Sequence, residues 1–141
     1  LEKVLGATEK SGGSLTDMMN SLIAENQKAA KIHPEYFKLY HQITAGDPEM
    51  AEMVEGEPAR LYTKALLNAK ENGEIDADID PCVFAFFFDN LMMMLHFAYA
   101  CDYYEDRFRI YCGDDITDRD GYVRKQLMTF LTNAFGIRSG N

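Results

Sequence analysis

Ala69-Lys70-Glu71-Asn72-Gly73-Glu74-Ile75-Asp76-Ala77-Asp78-Ile79-Asp80-Pro81, followed by the apolar run from Cys82 to Cys101, decides the fold of this 141-residue chain. It reads as one helix ending, a short acidic elbow, and a very apolar helix beginning. Gly73 suits the left-handed conformation that closes a helix, because it has no Cβ to clash there. Asp80 before Pro81 marks a start: a carboxylate accepts from free amides, and a ring with helical φ follows. Asp76, Asp78 and Asp80 also set negative charge near the positive end of the new helix. The run they launch is too apolar for a surface helix and must be covered around most of its circumference.

On both sides of the elbow the spacing stays helical, and no segment alternates with period two as a strand would. Leu1 to Lys10 reads as the tail of a helix stopped by Ser11-Gly12-Gly13. Ser14 caps the next helix, with Asp17 three residues on and Leu15, Met18, Met19, Leu22 and Ile23 inward, to about Lys31. Pro34 opens another, closing at Ala45-Gly46. Asp47-Pro48 starts a short acidic turn of helix through about Val54, and a separate helix runs from roughly Glu57-Pro58 to Asn72. The apolar helix continues through Tyr103-Tyr104 and fades by Gly113. A last helix, from Thr117 or Asp118 to Phe135, carries Val123, Leu127, Phe130, Leu131 and Ala134 inward. The expected fold class is all-α, a bundle of six to seven helices.

Stepping the apolar helix by about 100° per residue gathers Phe84, Phe88, Leu91, Leu95 and Tyr99 on one side. Ala85, Asp89, Met92, His96 and Ala100 gather on another. One side suits the chain's own core. The second, of small and polar residues, suits close approach of another helix or an internal cavity. The last helix is similarly apolar for a chain end, so the two helices with spare faces imply a four-helix bundle between two copies of the chain.

Hydrophobic residues make up 47% and charged residues 26%, as in a folded soluble domain. With 14 basic against 23 acidic residues and a net charge of −9, a phosphate-gripping face is excluded. Three cysteines (Cys82, Cys101, Cys112) without a CxxC pair form neither a disulfide framework nor a zinc site, and suit a reducing, cytoplasmic compartment. No signal peptide opens the chain. Cys82 to Cys101 has the length to cross a bilayer, but Asp89, Asn90 and His96 fall inside it. A central Asp costs about 3 kcal/mol on insertion scales, so no membrane span is expected.

The helix closing through Leu66-Leu67-Asn68-Ala69 to Gly73, the Asp76, Asp78, Asp80-Pro81 elbow, and the long apolar helix together resemble the C-terminal domain of TetR-family transcriptional regulators. His33-Pro34-Glu35-Tyr36-Phe37 and the closing amphipathic helix fit the same plan, and the likeness covers Leu15 to Phe135. The resemblance implies an effector-binding and dimerisation domain over residues 14–141, whose last two long helices form an intersubunit four-helix bundle. Residues 1–13 would then end a helix connecting to an N-terminal helix-turn-helix, absent from this sequence, through which alone DNA is bound. It also implies a homodimer and a small apolar or amphipathic effector.

On this plan the ligand-binding residues come from the middle helices and the inner face of the long one: Phe37, Tyr40, His41, Tyr62, Leu66, Phe88, Met92 and Tyr99. Aromatic and methionine side chains reshape readily around an apolar ligand. The dimer seam is expected at Ala85, Asp89, His96 and Ala100 with Leu127, Phe130, Leu131 and Ala134. Asp89 and His96, two turns apart, each need a polar partner if buried, across the seam or in the pocket.

No metal or other cofactor is expected. The histidines are scattered, and Asp76-x-Asp78-x-Asp80 mimics a calcium loop only until Pro81 and Phe87 take its glycine and glutamate positions. Glu49, Glu52 and Glu55 read as a solvated face. No nucleophile arrangement or glycine-rich phosphate loop points to an enzyme. The expected function is a ligand-responsive transcriptional regulator, a repressor represented by its sensing domain. A stand-alone helical carrier of apolar small molecules is the alternative.

Overall fold

The computed structural model describes residues 14–46 and 48–137. These form six α-helices: α1 (Leu15–Ile32), α2 (Pro34–Gly46), α3 (Met50–Glu71), α4 (Pro81–Ala100), α5 (Asp102–Cys112) and α6 (Asp120–Phe135). A 3-10 turn, Ile116–Asp118, joins the last two, and no strand occurs among the described residues. The expected connecting helix over residues 1–13 lies outside them.

The elbow forms as its residues dictate. Gly73 has φ 73°, the left-handed value that ends α3. Asp80 accepts from the amides of Cys82 (2.9 Å) and Val83 (3.4 Å), and Pro81 is the first residue of α4. Ile75 and Ile79 bury themselves between these acidic residues. Lys70 Nζ donates to the Ile79 carbonyl at 2.8 Å, and the Leu15 amide donates to Glu74 at 3.2 Å. The Asp76 amide reaches the Phe135 carbonyl at 3.2 Å. Gly136, at φ 61°, closes α6 just there, and a Cβ on it would collide with the Asp76 carboxylate. The elbow is therefore the knot where the starts of α1 and α4 and the ends of α3 and α6 converge.

From this knot α4 runs through the middle of the molecule, packed by α1, α2, α3 and α5. Met19 and Ile23 of α1, Met92 of α4 and Leu131 of α6 are fully enclosed. The Ser14 cap on α1 forms, its hydroxyl accepting from the Asp17 amide at 3.2 Å. α6 packs on α1, and it meets α4 where Phe84 and Phe135 stand 5.3 Å apart.

Three boundaries differ from expectation. The acidic turn and the helix after it are one continuous α3, with Pro58 inside it. Gly56 and Pro58 disfavour that continuity by about 1 and about 3 kcal/mol against alanine, so packing outweighs local preference here. The apolar helix stops at Cys101, which is extended (φ −110°, ψ 127°), and a separate α5 begins. No proline or glycine sits at that break. It is held by rings folding back on α4, Tyr104 at 5.4 Å from Phe97 and Phe108 at 5.9 Å from Tyr99. The last helix starts at Asp120 because Ile116 and Thr117 are buried in the preceding 3-10 turn. Cys82, read as part of the buried run, is exposed on the first turn of α4.

Candidate functional site

On one side of α4, α2 and α3 supply an aromatic cluster. Phe37, Tyr40 and His41 recur at three- and four-residue spacing, which points all three from α2 toward α4. Phe37 stacks on His96 with centroids 4.4 Å apart. His41 stands edge-on to Phe97 at 5.0 Å, and its Nε2 lies 3.4 Å from the Tyr104 hydroxyl. From α3, Tyr62 meets Phe88 edge-on at 5.1 Å, one turn from the buried Leu66. Phe37, Tyr62, Leu66, Phe88 and Met92 share one core, with Tyr40 and His41 half-buried at its edge.

A carboxylate pair sits in this apolar setting. The Tyr40 hydroxyl donates to Glu55 and lies 3.9 Å from the Met93 sulfur. The Asp89 carboxyl feels the charge of the same Glu55. Burial, and then the Glu55 charge, push the Asp89 carboxyl up to about 6. Burial first, with Glu55 and Asp89 adding, also raises both the Tyr40 and Tyr62 hydroxyls well above the ordinary phenol range. His96 is moved the other way: burial lowers it to about 4, so it is a neutral ring against Phe37 near neutral pH. Glu55, expected on a solvated face, is half-buried because α2 and α4 close over it.

A second polar group lies across α4. Gln27 of α1, only 2% exposed, donates through Nε2 to the Tyr99 hydroxyl (3.2 Å) and the Asp120 carbonyl (2.9 Å). Its Oε1 is enclosed without a partner. Lys31 bridges to Asp120 at 2.8 Å and lies over the Tyr99 ring at 5.3 Å. Tyr99, expected among the ligand-binding residues, thus turns its polar end toward α1 and α6. Burial is the main cause that raises its hydroxyl. Sequence reading missed Gln27 and the inward role of Glu55. A glutamine at an inward helical position four residues after Ile23 is the one signal that could have revealed the first.

The residues expected at a dimer seam separate. Ala85, Ala100 and Leu131 are buried in this chain's own core, Asp89 faces Glu55, and His96 faces Phe37. Ala85, Ala100 and Leu131 are thus enclosed within this chain, while Asp89 and His96 stay half-buried. Phe130 and Ala134 remain exposed and Leu127 is half-buried. On α4 the outward stripe is instead Val83, Phe86, Phe87 and Met94, with Phe86 64% exposed, alongside half-buried Asn90.

A groove of about 600 Å³ opens between α1 and α6, lined by polar residues including Thr16, Asn20, Arg124 and Thr132. Among the described residues no three His, Cys, Asp or Glu side chains are grouped to hold a metal ion. α4 is the one described helix long and apolar enough to cross a bilayer by length and composition. No protein-family model, curated protein or solved structure matches the chain.

Proposed function

We propose that this chain is the small-molecule-sensing and dimerisation domain of a ligand-responsive transcriptional regulator of the TetR type. The observation that carries the reading is the apolar stripe left outward on α4, Val83, Phe86, Phe87 and Met94, with Phe130 (59% exposed) outward on α6. Burying a phenylalanine side chain is worth about 1.5–3 kcal/mol, so three exposed rings on two helices favour a covering partner, and a second copy supplies a self-complementary one. A protein partner fits α4 better than a bilayer does. Its other flank carries Asp89 and His96 and is already packed by neighbouring helices.

In this reading the aromatic cluster of α2, α3 and α4 takes an apolar or amphipathic effector. The half-buried Tyr40 and His41 stand at its edge, and Met92 and Met93 can reshape around different ligands. An occupant that spreads α2 and α3 from α4 would shift α4 against its twin. That change alters the spacing of two DNA-reading heads held on the preceding residues, and so their fit to two half-sites.

Sedimentation at micromolar concentration tests the seam. The chain is expected to run as a dimer, and Phe86→Asp combined with Phe130→Asp as a folded monomer. A wild-type monomer overturns the reading, as does an intact gene product with no site-specific DNA affinity.

A further inference from the structure

The arginines of the described residues are spent unequally. Arg60 and Arg109 pair with Glu57 and Glu105, while Arg107 and Arg119 lie over the rings of Tyr111 and Tyr122. Arg124 of α6 has neither an acid nor a ring, although the chain carries 23 acidic residues against 14 basic ones. It stands half-buried in the groove between α1 and α6, with Lys125 beside it. These two helices run antiparallel. The start of α1 and the end of α6 meet at the elbow, and Gln27 of α1 donates to the carbonyl of Asp120 at the start of α6. One turn past Asp120 the seam opens at Arg124, and two turns further it reaches Thr132. Thr16, Asp17 and Asn20 of α1 form the opposite wall. The side chains of Thr16, Asn20 and Thr132 make no hydrogen bond among the described residues, so their polar atoms are unspent along with the guanidinium.

We propose that this groove is a binding site for a small hydrophilic organic anion, a carboxylate or phosphate ester with a hydroxylated body. The oxyanion rests on Arg124, whose planar fork donates two parallel hydrogen bonds, and Lys125 adds a second positive charge. The body lies along the seam toward the elbow, where the Thr16 and Thr132 hydroxyls and the Asn20 amide both donate and accept. Arg124 and Thr132 are about 12 Å apart along the helix axis, and side chains reach inward from both ends, so a chain of about six carbons spans the site. Asp17 lines the elbow end and repels a second anionic group there, so the ligand carries its charge at one end. An apolar occupant is disfavoured, because it would strip water from Arg124 and Lys125 and offer them no partner. The groove lies on the flank of α6 opposite Phe130 and Ala134. A second copy covering those two residues leaves it open, and the site depends on neither the dimer nor the aromatic cluster.

Heteronuclear NMR of the whole chain tests the site with three probes: gluconate, inorganic phosphate and uncharged sorbitol. Gluconate or phosphate is expected to move the amides of Thr16, Asn20 and Thr132 and the Arg124 Nε–H saturably at millimolar concentration. Sorbitol at the same concentrations leaves them in place. Arg124→Gln weakens binding by about tenfold or more, and Lys125→Gln by about threefold. Resonances away from the groove that keep their positions show that each variant is folded. Asn20→Asp, at an exposed position, sets a second carboxylate in the groove and also weakens binding, which keeps the test independent of Arg124→Gln. Saturation by gluconate with phosphate far weaker assigns a carboxylate ligand, the reverse assigns a phosphate ester, and equal binding assigns the oxyanion they share. No saturable shift with either anion overturns the proposal, as do equal shifts with sorbitol or undiminished binding in the folded Arg124→Gln variant.

Discussion

Along its length α1 buries Leu15, Met18, Met19, Leu22, Ile23, Gln27 and Ala30, whereas α2 buries Phe37 alone. Both are amphipathic helices packed on α4, so the difference is not one of secondary structure. α1 is pressed between α4 and α6 and anchored at its start by Ser14 and Glu74. α2 leans on α4 through rings, Phe37 on His96 and His41 on Phe97, and through the Tyr40–Glu55 bond. One side of the molecule is a deeply buried scaffold whose enclosed polar group is Gln27. The other keeps ionisable groups among aromatic rings, and local opening concentrates where burial is thin.

The contrast can be broken most directly in the scaffold. Ile23 is 0% exposed, and Ile23→Ala is expected to cost about 3–4 kcal/mol in urea denaturation, by lost transfer energy plus the cavity left behind. A loss under about 1 kcal/mol would mean that α1 is no tighter than α2.

The pH profile sharpens the other side. The carboxyl of Asp89 is raised to about 6, so its stabilising share is complete below the unfolded value near 4 and is lost as pH rises through 6. His96 is lowered to about 4, so its share is complete above the unfolded value near 6.5 and is lost as pH falls toward 4. The two slopes oppose each other across the same acidic window. Asp89→Asn should therefore make the denaturation midpoint fall more on acidification than in the wild type, and His96→Phe should make it rise relative to the wild type. Parallel profiles for all three proteins would show that neither group is held as described.

The smallest effect is expected at the elbow. Asp80→Ala removes an exposed side-chain cap and should cost about 1 kcal/mol, measured by the same denaturation, with α4 keeping its start at Pro81. Asp80→Asn, which can still accept from the Cys82 amide, should recover most of it. If both variants lose equally, the carboxylate acts through its charge and not through the cap.

Much of the fold was legible because its signals are local. Ser14, Gly73 and Asp80-Pro81 act on amides within one turn of themselves, and each does in the structure what the sequence implies. The candidate site was legible in part: Phe37, Tyr62, Leu66, Phe88 and Met92 do share a core. Glu55 was hidden because i+3 spacing with Glu49 and Glu52 looks the same on a solvated face as on one whose end is covered. Asp89 and His96 were visibly in need of partners, but a helical wheel does not say which neighbour supplies them.

The sequence by itself determined an all-helical chain, the acidic elbow, and an apolar helix that must be covered, since capping, backbone conformation and periodicity depend on residues a few positions apart. Only the tertiary structure decided that α3 runs unbroken through Pro58, that α4 stops at Cys101, and that Ala85 and Ala100 turn inward while Phe86 and Phe87 turn out. Those outcomes depend on segments distant in sequence, Tyr40 against Glu55 and Phe108 against Tyr99, and such contacts can outweigh local preferences of a few kcal/mol.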